Sequence, residues 1–125
     1  MKKLLFLMLL VFLSVNTYSQ SFYADYVSTK SLVDKDKWDD WTYWKPCYYK
    51  VIVDLNEDII TINNSKYYLD KHIETTVDDN SKTIKYAVIN YYNNASFIRI
   101  REQKDGVKQL YIDYDDIIYV YNLVH

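Results

Sequence analysis

Trp38, Trp41 and Trp44 are the only tryptophans of the chain, and they fall within seven residues, with Asp39, Asp40, Thr42 and Tyr43 between them. Residues of these types can bind a ligand together. Indole and phenol faces stack on sugar rings or other flat groups, while carboxylates and a hydroxyl bond to ligand hydroxyls. Trp38, Trp41, Tyr43 and Trp44 are therefore the candidate ligand-binding residues. A second reading stands beside this one. An aromatic side chain buries about 150–250 Å², so three indoles could plug one end of a small barrel. Their spacing of three suits one side of a helical turn. A strand would send Trp41 and Trp44 to opposite faces.

Other reactive residue types are present without the spacing their chemistry needs. Asp34, Asp36, Asp39 and Asp40 bear a faint likeness to a calcium loop. The bend glycine and terminal glutamate are missing, and Lys35 and Lys37 offset the charge. Asp113, Asp115 and Asp116 read as hairpin chemistry. His72 has no cysteine or carboxylate at zinc-ligand spacing. Cys47 is the sole thiol, and nothing local pairs it with His72 as a nucleophile with its base. One glycine, Gly106, excludes a glycine-rich phosphate loop. Arg99 and Arg101 should share the outer face of one strand, because Ile98 and Ile100 claim the other. No metal, cofactor or catalytic residue is expected.

These residues must be positioned by strands. Period-2 alternation of β-branched and aromatic residues predicts strands over 22–28, 47–55, 58–63, 66–73, 83–91, 96–102, 107–114 and 117–123. The predicted inward residues are Val51, Val53, Ile60, Ile62, Ile84, Tyr86, Val88, Ile98, Ile100, Leu110, Ile112, Ile118 and Val120. Strand starts recur about every eight to twelve residues, the rhythm of an antiparallel barrel or sandwich. Nearly every connection is a short hairpin, which favours a meander barrel of seven to eight strands over a two-layer β-sandwich. With one glycine, the pairs Asn63-Asn64, Asp79-Asn80, Asn93-Asn94 and Asp115-Asp116 should supply the left-handed turn conformations. The one long link, 30–46, could hold a short helical turn over 31–39.

The N-terminus sets the expected compartment. Lys2 and Lys3 precede an apolar run from Leu4 to Val15, followed by small and polar residues, the layout of a secretory signal peptide over 1–19. About twelve apolar residues make roughly 18 Å of helix, too short for a bilayer core of about 30 Å. The expectation is an exported protein, periplasmic or extracellular, with no stable membrane insertion after cleavage and a single β-barrel-like domain over 20–125. A lone cysteine makes no internal disulfide, so Cys47 is expected as a buried thiol. The formal charge of the whole chain is −2, with acids and bases interspersed. Nucleic-acid binding needs a basic face, which is absent. The fifteen tyrosines carry little functional weight by number alone. Only their placement can.

The segments Val51-Ile52-Val53-Asp54, Ile59-Ile60-Thr61-Ile62 and Gln109-Leu110-Tyr111-Ile112-Asp113-Tyr114, with Tyr119-Val120-Tyr121-Asn122, carry a resemblance of pattern. Over about 41–123 the chain resembles a loose group of small exported β-rich proteins of Gram-negative bacteria with no assigned activity. The resemblance implies a lipocalin-like barrel and assigns no functional residues. The glycine-x-tryptophan signature of true lipocalins is absent. The sequence thus points to a non-catalytic exported binding module for a glycan or another exported protein. The alternative is an inhibitor or immunity-type protein that blocks a partner.

Overall fold

The computed structural model describes residues 19–125, so the signal peptide expected over 1–19 lies almost wholly outside the described residues. Nine strands follow in order: β1 (Gln20–Asp34), β2 (Lys37–Trp38), β3 (Lys45–Asp54), β4 (Ile59–Ile62), β5 (Ser65–Val77), β6 (Ser81–Asn90), β7 (Ala95–Gln103), β8 (Lys108–Asp113) and β9 (Ile117–Val124). All pairings are antiparallel, and β1 pairs with both β3 and β9. That double pairing closes β1 and β3–β9 into an eight-stranded meander barrel, with β2 as a short extra strand on β1. The barrel, rather than the sandwich, is the architecture. Gln20, Asp54 and Val124 lie at one end, called lower here; Asp34, Lys45 and Ile117 lie at the upper end.

The predicted stripes face one interior. Val51, Val53, Ile60, Ile62, Val88, Ile98, Leu110 and Ile112 are buried together, with Tyr86 and Ile100 packed against them. Strand alternation puts Lys50, Thr61, Arg99 and Tyr111 on the outside. Phe22, Ala24, Tyr67, Tyr121 and Leu123 complete the core. Tyr121 and Leu123 reverse the phase expected for β9. Ile118 and Val120 point outward, and Tyr119, Tyr121 and Leu123 point inward. Both faces of this strand are apolar, so alternation alone could not choose between them. Val120 is nevertheless only 3% exposed, because another segment covers it, as described below.

No helical turn forms over 31–39. β1 runs straight on to Asp34, reverses through Lys35 and Asp36, and β2 returns beside it with Asp34 opposite Lys37. The turns use side-chain chemistry in place of glycine. Asn63 and Asn64 have φ of 49° and 72°, the two left-handed residues of a tight hairpin, and Asn93 and Gly106 also have positive φ. Asp58, which was not anticipated, has φ 56°. Asp79-Asn80 and Asp115-Asp116, which were anticipated, do not adopt it. At the former turn the Asp78 carboxylate accepts the N–H groups of Asn80 and Ser81, both at 2.7 Å. Those bonds hold the Asp78 carboxyl below its ordinary range.

The upper interior is filled by tyrosines. The Tyr67 and Tyr114 hydroxyls are 2.9 Å apart, and Tyr119 stacks on Tyr121 at 6.4 Å. Burial above all pushes the Tyr67 and Tyr121 hydroxyls well above their ordinary value, and the neighbouring tyrosines add to it. A raised folded-state value contributes stability that is complete below the unfolded value of 10.0 and is lost as pH rises beyond it.

Two outcomes are expected. The urea midpoint of the described domain is flat from pH 7 to 9 and falls steeply above about pH 10, a fall that tyrosinate absorbance should track. Ile98→Ala, at a position with 0% exposure, costs about 2–5 kcal/mol in denaturant unfolding. A cost under about 1 kcal/mol would place Ile98 outside the core.

Candidate functional site

The tryptophan segment is a strap on the outer wall. After β2 the chain leaves strand geometry over 39–44, yet stays fastened to β1. Asp39 N–H donates to Ser31 O at 2.8 Å, and Thr42 N–H donates to Thr29 O at 2.9 Å. The Thr42 hydroxyl accepts Thr29 N–H at 2.9 Å, and Ser28 Oγ donates to Thr42 O at 2.6 Å. These bonds satisfy backbone groups that would otherwise sit at an open edge. They also free Trp41 and Trp44 from strand alternation, so both lie over the same wall.

That wall is built from two cross-strand rows. Ser28, Val120 and Tyr111 are successive partners across β1, β9 and β8. Two residues lower, Tyr26, Asn122 and Gln109 are the next row. Trp41 belongs to the first. Its ring meets Tyr111 edge-on at 6.2 Å, and the strap leaves Ser28 and Val120 each 3% exposed although they face outward. Lys30 Nζ stands 5.6 Å from the Trp41 ring, and the Arg99 guanidinium lies 4.3 Å from the Tyr111 ring. Arg99 also grips Asp113 through two bonds of 2.6 and 2.8 Å, a bidentate pair that fixes its plane. Arg99 is outside the barrel, as expected, but it is a tethered part of this wall. Asp113 is its partner and not merely a hairpin residue.

Trp44 belongs to the second row. With Tyr26, Gln109 and Asn122 it lines a shallow depression of about 370 Å³. Trp44 is 46% and Tyr26 43% exposed, so both rings present apolar area to an incoming group. The amides are oriented from behind. Asn122 donates to Asp25 Oδ1 at 2.8 Å, and the Tyr111 hydroxyl donates to Gln109 Oε1 at 3.1 Å. The Gln109 NH₂ group is left to donate outward. Tyr23 and Tyr48, stacked at 5.2 Å, continue the aromatic surface onto β3.

Of the four residues picked from the sequence, the structure brings two together. Trp41 and Trp44 share the outer wall, and neither plugs a barrel end. Tyr43 is 94% exposed and contributes nothing to the depression. Trp38 is half-buried in β2 opposite Leu32. Tyr26, Asp25, Gln109, Tyr111 and Asn122 were missed. They come together only through the register of three strands, shifted at β1 by a bulge between Ala24 and Tyr26.

The reactive residues elsewhere remain apart. Cys47 is half-buried and donates to Ala24 O at 3.3 Å. Burial and, secondarily, the Asp25 charge push its thiol up, away from the thiolate that a nucleophile requires. His72 contacts Thr75 Oγ1 at 2.7 Å and the Tyr86 ring edge-on at 5.9 Å. Among the described residues no three of His, Cys, Asp and Glu gather as metal ligands. Comparison with family models, curated proteins and solved structures finds no match for this chain.

Thr42→Val removes the acceptor for Thr29 N–H and is expected to loosen the strap, at a cost of about 1 kcal/mol. Tryptophan emission should shift to the red as Trp41 lifts off Tyr111. An unchanged spectrum and unfolding midpoint would show that Thr42 is not the fastening.

Proposed function

We propose that this protein is a non-catalytic, exported binding module whose ligand is a glycan, held on the outer wall between Tyr26 and Trp44. The observation that carries the reading is the pairing of two exposed ring faces with two oriented side-chain amides in one depression. A sugar ring offers an apolar C–H face and a rim of hydroxyls. Trp44 and Tyr26 match the first, and Gln109 and Asn122 match the second. Sites of this kind combine an apolar lining with a few placed polar groups. Export is supported by the charged, apolar and small-residue order of the first nineteen residues. The barrel's faces support life in water: over its middle the apolar side chains point in and charged ones such as Lys50, Lys85 and Arg99 point out, the reverse of a lipid-facing barrel.

A second reading has its own observation. The Tyr23–Tyr48 stack extends the aromatic wall beyond what one sugar covers. Tyrosine and tryptophan are enriched in protein interfaces, which suits an inhibitor or immunity-type protein that blocks a partner.

The test is a titration of intrinsic fluorescence with a panel of soluble oligosaccharides. Glycan binding should change tryptophan emission saturably, and Trp44→Ala should weaken it about tenfold or more. Tyr48→Ala should leave it unaltered. If no saccharide in a broad panel binds, the glycan reading fails. The blocking reading instead requires a one-to-one protein complex weakened by both Trp44→Ala and Tyr48→Ala.

A further inference from the structure

The lower end of the barrel holds a second, separate cavity. Core packing stops short there and leaves about 300 Å³ lined by Phe22, Val53, Ile84, Ile100 and Leu123, with Leu55 and Tyr86 beside them. Lys82, Glu102, Lys108 and Leu123 are successive cross-strand partners over β6–β9, and they form one side of its rim. The two lysines outnumber the single glutamate between them. Among the described residues neither lysine makes an ion pair. Lys108 Nζ is poised 5.2 Å from the Phe22 ring, over the apolar lining, and the His125 ring lies 4.8 Å from Phe22. The mouth therefore joins an apolar interior to a rim whose β6–β9 side carries two lysines and one glutamate.

The lower length of β5 is paired on one side only. β4 pairs only with Ser65–Tyr68 of β5, so residues 70–77 have β6 on one side and solvent on the other. All eight are exposed.

We propose that this mouth binds a single-chain anionic amphiphile, its alkyl chain lying against Phe22, Ile84, Ile100 and Leu123 and its carboxylate held by Lys108 above the Phe22 ring, with Lys82 adding to the positive charge of the rim. The volume lies at the small end of ordinary ligand cavities, which run to about 1,000 Å³. It suits one medium-length chain and not a two-chain lipid. The charge of the rim selects an acid over an alcohol or an amine. The site shares no residue with the Tyr26–Trp44 depression, so the two readings stand or fall separately.

The experiment is isothermal titration of the wild-type protein with hexanoate, octanoate and decanoate. Decanol and decyltrimethylammonium serve as neutral and cationic controls, all below their micelle concentrations. Affinity is expected to rise up to about fourfold per added methylene while the chain still enters the cavity. Decanoate should exceed decanol by tenfold or more, and decyltrimethylammonium should bind worst. Lys82→Gln with Lys108→Gln, changes confined to the rim, should erase the preference for decanoate over decanol and leave decanol binding intact. Ile100→Trp should block every chain, with circular dichroism confirming that the barrel still forms. If Ile100→Trp does not fold, the double rim variant carries the test alone. No dependence on chain length, or equal affinity for the three head groups, overturns the proposal. Oligosaccharide binding on the outer wall should survive the double rim variant.

Discussion

Closure by the pairing of β1 with β9 is the constraint on which the rest of this molecule depends. β1 is fifteen residues long, much longer than an average strand. Its lower part bonds to β3 on one side, its middle to β9 on the other, and its upper part to β2 and the strap. Without the β9 contact the eight strands would form an open sheet with two bare edges and no enclosed interior. The bulge between Ala24 and Tyr26 is part of the same device. It keeps Phe22 and Ala24 inside while turning Asp25 and Tyr26 out, where they meet Asn122. One irregularity in one strand thus serves both the core and the outer wall.

Much of the fold could be read from particular residues. Ile98 and Ile100 flank Arg99, Ile60 and Ile62 flank Thr61, and Val51 and Val53 follow Lys50 and precede Asp54, so period-2 spacing marked their shared face as the core. β9 resisted that reading because Ile118, Val120, Tyr119 and Tyr121 make both faces apolar. The β-branched pair looked like interior, yet it is the tyrosines that fill the barrel while the strap shelters Val120. β5 was expected to end at residue 73. Its remaining residues, Glu74, Thr75, Thr76 and Val77, are exposed, and only their ladder with β6 keeps them extended.

The candidate site was legible by residue type and not by arrangement. Three clustered tryptophans mark a place where something happens. Which rings converge depends on hydrogen bonds from Thr42 to Ser28 and Thr29, fourteen and thirteen residues away along the chain. Gln109 and Asn122 are unremarkable polar residues of two different strands until antiparallel register sets them side by side. Local pattern reports on faces, whereas a wall made of three strands is a property of register.

The half-paired length of β5 has a consequence for how the barrel moves. Two register shifts, between Leu69 and Lys71 and between His72 and Glu74, together with the charges of Asp70, Lys71 and Glu74, discourage a foreign strand from adding there. What those features do not supply is a second ladder to hold the strand down. Over this length the outer margin of β5 faces no partner strand. Local opening, which favours segments with few partners, is expected to begin on this flank and not at the β1–β9 seam.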